Sequence, residues 1–183
     1  MAFVVVYDAC VLYPSLLRDL LIRVAQAGLV QAKWTNEILE ETFRNLKENR
    51  PDLDPALLDR TRERMGRAIR DVLITGYEPL IPMLELPDAN DRHVLAAAIK
   101  AHAQVIVTTN LKDFPPPALS QWQIEAQHPD EFVHDLVDLH PKAVFGEVQR
   151  IADSTSKPPL SVDEVLTGLS RCGLVESVAA LRS

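Results

Sequence analysis

Cysteine is scarce in this chain: Cys10 and Cys172 are the only two, far apart and outside any paired metal-ligand spacing. They make neither a disulfide scaffold nor a zinc site, so both read as packing residues kept as thiols in a reducing compartment. Glycine is also thin, six residues scattered along 183, with no glycine-rich run of the kind that cradles a phosphate. Positive charge is in deficit, since 19 lysines and arginines face 26 aspartates and glutamates for a formal charge of −7. That balance argues against a protein that grips nucleic acid by bulk charge. It leaves room for a nuclease, because carboxylates that hold divalent cations make such a site acidic in sequence while the bound ions reverse its local sign. No stretch approaches the roughly 18 consecutive apolar residues that a membrane span requires. The opening Met1-Ala2-Phe3-Val4-Val5-Val6-Tyr7-Asp8 has no basic leader and breaks at an aspartate, so a cytoplasmic protein is expected. The five histidines, His93, His102, His128, His134 and His140, form no zinc-ligand spacing.

What is present is an ordinary globular composition, 47% hydrophobic and 25% charged, at a length suited to one domain with an appendage. Phe3–Tyr7 and Val105–Val107 are apolar runs without alternation, the pattern of strands covered on both faces of a parallel sheet. Between them the periodicity is helical. Leu16, Leu17, Leu20, Leu21 and Val24 follow Pro14 and stop before Gly28. Ile38, Leu39, Phe43 and Leu46 mark a second helix, capped by Thr35 or Asn36 and running to about Arg50-Pro51. Asp54-Pro55 opens a third, whose Arg60, Arg62, Arg64, Arg67 and Arg70 could contact RNA phosphates but are interleaved with Glu63 and Asp71, so a solvated face is the plainer reading. Residues 77–83 are expected to form at best a short edge strand, since Pro79 and Pro82 remove ladder donors. An alanine-rich helix is expected over 93–101 and a last strand over 122–125. Beyond 128 the signals are helical, over 132–139, 143–152, 162–169 with Ser161 as cap, and 177–181, with Lys157-Pro158-Pro159 as a breaker. Alternating strands and helices predict an α/β fold over 1–127, followed by a helical extension over 128–183.

Four acids then stand out. Asp8 ends the first strand, Asp113 lies in the loop after the second, Asp91 opens a helix, and Glu41 sits on the helix after Thr35. Ligands of open α/β sheets collect outside the carboxyl ends of the strands, where two of these acids fall. Periodicity alone leaves open whether Glu40 or Glu41 points inward. Each acid has a plain structural reading: a turn former at Asp8 or Asp113, an N-cap at Asp91, a solvated glutamate at Glu41. Together they describe something more specific. Converging carboxylates repel unless a cation neutralises them, and an oxygen-only donor set describes Mg²⁺ or Mn²⁺. The matching reaction is metal-assisted attack of water on a phosphodiester.

Four ordered segments carry a resemblance to the PIN-domain nucleases, and among them to VapC-type toxins: Val4-Val5-Val6-Tyr7-Asp8-Ala9-Cys10-Val11-Leu12, Trp34-Thr35 through Ile38-Leu39-Glu40-Glu41, Pro87-Asp88-Ala89-Asn90-Asp91-Arg92-His93-Val94, and Val105-Ile106-Val107-Thr108-Thr109-Asn110-Leu111-Lys112-Asp113-Phe114. The resemblance covers about residues 2–126. It implies a PIN-like α/β/α sandwich with a mainly parallel sheet, an endoribonuclease dependent on Mg²⁺ or Mn²⁺, an RNA substrate, a cognate antitoxin and a homodimer. By it the acids are Asp8, Glu41 rather than Glu40, and Asp91 with Asp88 as second choice. Thr108 would supply the hydroxyl beside the metal. Many relatives carry an acid where this chain has Asn110, so the fourth acid falls on Asp113 and the second metal is the weaker expectation. Arg92 is the basic residue best placed for the scissile phosphate. Two other readings stand beside the enzyme: a PIN-like scaffold that binds RNA or protein without cutting, and a receiver-like phosphoacceptor module. The latter expects a second acid directly after the first strand, where Ala9-Cys10 stands.

Overall fold

The computed structural model describes residues 2–183. The apolar run β1 (Phe3–Tyr7) lies inside the sheet, with Val5, Val6 and Tyr7 fully buried. A short helix α1 (Ala9–Leu12) and the amphipathic α2 (Ser15–Gln26) lead to β2 (Val30–Lys33). Next come α3 (Asn36–Asn49), capped by the Thr35 hydroxyl on the Ile38 N–H, and α4 (Pro55–Ala68), capped by Asp54. The alanine-rich α5 (Arg92–Lys100) precedes β3 (Val105–Val107); α6 (Pro116–Leu119) precedes β4 (Glu125–Gln127). The strands form one parallel sheet in the order β2-β1-β3-β4, with Val5 opposite Ala32 on one side and Val105 on the other. Parallel strands need crossover helices, and these cover the faces that the unbroken apolar runs demand.

Beyond the short helices α1 and α6, which the sequence reading lacked, three elements differ from it, each for a local reason. β2 was invisible because Val30-Gln31-Ala32-Lys33 is short and only half apolar, an edge strand that buries Val30 and Ala32 and leaves Gln31 exposed. The segment expected as an edge strand is the 3-10 turn Glu78–Met83, in which proline's missing N–H costs little near a helical start. The last strand lies three residues further on than expected. Trp122 ends a 3-10 turn, Gln123 takes a left-handed φ of 57°, and the polar Glu125–Gln127 then pairs with β3.

The C-terminal helices α7 (Pro129–Leu139), α8 (Pro141–Ser154), α9 (Val162–Arg171) and α10 (Val175–Arg182) share one hydrophobic cluster with the sheet. Tyr7 at the end of β1 is the joint. Its ring meets Phe132 edge-on, centroids 6.0 Å apart, and its hydroxyl donates to the Leu21 carbonyl at 2.9 Å. On the far side α9 closes onto α2 at Gly168, where a Cβ would stand 2.5 Å from Leu16 Cδ2. Ser161 and Glu164 form a reciprocal capping box at the start of α9. Asp130, in the first turn of α7, accepts the Glu176 and Ser177 N–H groups and the Ser177 hydroxyl, tying α10 to α7.

Candidate active site

The carboxyl edge of the sheet gathers the acids. Asp8 follows β1 and is buried, with its N–H donating to the Val107 carbonyl, so its position is set by the ladder. Both carboxylate oxygens are engaged: Oδ1 accepts the Ala9 N–H at 2.8 Å and Oδ2 accepts the Thr108 hydroxyl at 2.9 Å. Thr108, fully buried, accepts in turn the Asn110 N–H at 3.0 Å. The Cys10 thiol lies 3.6 Å from Asp8 Oδ2 and 3.5 Å from the Thr108 hydroxyl, and its sulfur accepts the Thr109 N–H. Asp8 therefore cannot swing; the ends of β1 and β3 hold it.

The third motif separates its two aspartates by role. Asp88 caps the turn Ala89–Asp91 by accepting the Asn90 N–H at 2.9 Å. Asp91 immediately precedes α5 but makes no capping bond, contrary to its plain structural reading. Its carboxyl is pushed up from 3.8 to about 7, first by burial and then by the negative charges of Asp8, Asp88, Asp113 and Glu41. All three other acids of the expected set are thus close enough to Asp91 to be felt as charge. Asp113 is half-buried in the 3-10 turn Leu111–Asp113, whose N–H closes onto the Asn110 carbonyl. Asn110 is exposed and adds no charge there.

The two glutamates of α3 also separate. Glu40 faces outward and pairs with Arg62 at 2.8 Å, which holds its carboxyl below the usual range. Glu41 is half-buried and raised, by burial first and by Asp8 next, with His93 acting in the opposite sense. Sequence reasoning missed the shelf behind Glu41. Glu37, one turn earlier, accepts the Tyr77 hydroxyl at 2.9 Å and stands 3.8 Å from Nδ1 of His93, a buried imidazole whose Nδ1 has no hydrogen-bond partner. The i, i+4 spacing of Glu37 and Glu41 was the available signal. Arg92 is half-buried and folds back to bond the Ala89 carbonyl at 3.1 Å.

The donor set suits a hard divalent cation: carboxylates only, mutually repelling, with Asp91 and Glu41 both raised. Among the described residues, His134, Asp135 and Asp138 are the one trio whose ligand atoms all lie within 4.8 Å of one another. They sit on the surface of α7, where His134 and Asp138 pair one turn apart at 3.5 Å. An apolar cavity of about 390 Å³ between the sheet and α7, reached by Phe3, Phe132 and Leu139, contains none of the four cleft acids. Among the described residues no helix is long and apolar enough to cross a membrane.

Residues 4–112 match the family model described as PIN domain, and residues 129–183 match that of the VapC50 C-terminal domain. Over 94 residues the chain is 44% identical to a protein of Mycobacterium tuberculosis (strain ATCC 25618 / H37Rv) named "Putative ribonuclease VapC50". That stretch takes 51% of this chain and 55% of the relative, so the chain spans about half the relative's length in the match. No solved structure matches. With its four-stranded parallel sheet, its acids at the carboxyl edge and a family match that covers most of the α/β region, this chain belongs to the PIN-domain family.

Proposed function

We propose that the chain is a divalent-cation-dependent endoribonuclease, the toxin of a toxin–antitoxin pair acting in the cytoplasm. The observation that carries this reading is the place of Asp91, a half-buried carboxylate before α5 that makes no capping hydrogen bond and stands among Asp8, Asp88, Asp113 and Glu41. Asp8, Glu41, Asp91 and Asp113 would hold Mg²⁺ or Mn²⁺. When bound, the cation polarises a phosphoryl oxygen and makes water nucleophilic at neutral pH. The chain's own part is positional. Thr108 and the Ala9 N–H fix the two oxygens of Asp8, so one carboxylate is aimed before any ligand arrives. The Glu37, Tyr77 and His93 shelf backs Glu41. Asn110 leaves this side of the cleft one charge short of many relatives, which weakens the case for a second cation. Asp88 serves the turn that presents Asp91, and Arg92 can swing from the Ala89 carbonyl to a phosphate.

The relative's printed name supports the ribonuclease assignment, and the VapC-type resemblance supports an antitoxin partner and a homodimer. A basic antitoxin side chain entering the cleft would replace cation charge by direct pairing. The test is cleavage of a labelled structured RNA in Mg²⁺ or Mn²⁺ by wild type, by Asp8→Asn and by wild type with EDTA. Metal-dependent cutting that disappears in Asp8→Asn is the expected result. Wild type that binds RNA and leaves it intact would instead favour the scaffold reading, which Asn110 supports.

A further inference from the structure

Helix α4 carries Arg60, Arg64 and Arg67, all exposed and none with a hydrogen bond or ion pair to another described residue. Most other arginines are engaged. Arg23, Arg50, Arg62, Arg70, Arg150 and Arg182 pair with carboxylates, and Arg18 and Arg92 bond backbone carbonyls. In a chain of net charge −7, three of the five arginines without a hydrogen bond or ion pair among the described residues stand on this one helix. At 100° per residue they fall within roughly 60° of one another, away from the buried Leu58 and Met65, with the exposed Glu63 along the border beside Arg67. Their axial span from 60 to 67 is about 10 Å at 1.5 Å per residue, long enough to meet more than one phosphate of a nucleic-acid strand.

Its place in the fold fits a substrate track. α4 packs along α3, tied by Arg62 to Glu40 and by Lys47 to Asp59, while Glu41 on the same α3 faces the acidic cleft. The stripe is thus one helix away from the cleft and outside it. An acidic cleft repels a polyanion until a cation is bound, so a separate basic surface supplies the initial hold.

We infer that Arg60, Arg64 and Arg67 form a track for the phosphodiester backbone of single-stranded RNA, which holds substrate outside the cleft while a more distant nucleotide is cut. The inference rests on the ribonuclease reading and extends it. Arginine suits the role because its planar fork binds phosphate oxygens in pairs.

The test is binding, measured apart from cleavage. Full-length Asp8→Asn protein in buffer without divalent cation is titrated against a fluorescein-labelled single-stranded RNA, from about 50 to 200 mM salt, by fluorescence anisotropy. Adding Arg60→Gln, Arg64→Gln and Arg67→Gln together is expected to flatten the slope of log K against log salt by about 2, at roughly 0.7 per lost contact. Arg171→Gln, another exposed arginine without a partner, leaves the slope unchanged. Far-ultraviolet circular dichroism confirms that the triple variant keeps its fold, which exposed positions permit. A triple variant whose slope stays within about 0.5 of its parent overturns the track, as does a parent that binds no RNA. Cleavage of a trinucleotide, too short to span cleft and stripe, is then compared between wild type and the triple variant. Equal rates with a flattened binding slope support the track. A trinucleotide cut more slowly by the triple variant than by wild type overturns the track; no cutting of the long labelled RNA by wild type in Mg²⁺ or Mn²⁺, with the slope still flattened, removes the ribonuclease reading and leaves the stripe as a phosphate-binding surface only.

Discussion

Asp91, immediately before α5, and Asp130, in the first turn of α7, are the same side chain in nearly the same local position, and they titrate in opposite directions. Burial pushes both up. At Asp130, hydrogen bonds from the Glu176 N–H and from the hydroxyl and N–H of Ser177 outweigh it, and the carboxyl ends below its ordinary range. At Asp91 nothing donates, four other acids add to the burial, and the carboxyl rises to about 7. A helix start by itself decides neither outcome. Satisfied, the acid is a fastener between two helices; unsatisfied among like charges, it waits for a cation.

The sharpest way to break that contrast is Asp91→Asn. Cleavage is expected to fall by about 100-fold or more, roughly 2.7 kcal/mol at 1.36 kcal/mol per decade. The cation-free variant at pH 8 should melt no lower than wild type and by preference a few degrees higher, because a repelling charge is gone. A lower melting temperature would make Asp91 a structural acid.

Asp130→Ala is its mirror. It leaves the Glu176 and Ser177 N–H groups without their acceptor, while the Ser177 hydroxyl keeps the carbonyl of residue 130; the loss costs about 1–2 kcal/mol at a partly exposed site. For a chain of this size that is a drop of roughly 2–8 °C in melting temperature. Mn²⁺ affinity, read by calorimetry, should not change.

The two carboxyls also give pH dependences of opposite sign. Asp130, held below its ordinary value, contributes stability above that range and loses it as pH falls through its folded value. Asp91 contributes nothing below about 3.8, where folded and unfolded chains both carry the proton. Between there and about 7 the unfolded chain ionises first, so the folded state is progressively disfavoured, and above about 7 the cost is complete. Urea midpoints at several pH values in EDTA should therefore fall toward neutral pH, and saturating Mg²⁺ should remove that fall. An unchanged profile with Mg²⁺ would mean that no cation reaches Asp91.

The smallest effect sharpens the pair on α3. Glu40→Gln, at an exposed ion pair, should shift neither melting temperature nor cleavage measurably, since such pairs contribute little. Glu41→Gln should weaken cation affinity several-fold, as seen by the Mn²⁺ concentration that half-saturates binding.

These contrasts show what the sequence could carry. β1 and β3 were legible because strands buried on both faces need unbroken apolar runs, and the positions of Asp8 and Asp113 follow from where those runs stop. β2 was not, since Val30–Lys33 is a half-apolar edge, and β4 was legible as a strand but not in position, since Glu125–Gln127 is polar and its pairing comes from the tertiary fold. Glu40 and Glu41 are neighbours at the edge of the buried face of α3, a tie that periodicity leaves open, that the family resemblance broke toward Glu41, and that the structure separates through Arg62 on Glu40 and burial beside Asp8 on Glu41. The shelf of Glu37, Tyr77 and His93 joins three distant segments, a meeting that no local pattern records.

Tyr7 carries a consequence for descent. The side chain next to Asp8 is clamped by the Leu21 carbonyl on one side and by Phe132, at the start of the C-terminal helices, on the other. A lineage that lost those helices would strip the cover from the strand that aims Asp8, and one that exchanged them would have to refit a ring against Tyr7. The segments 4–112 and 129–183 therefore share one core, and a substitution at Tyr7 is best tolerated when Phe132 changes with it.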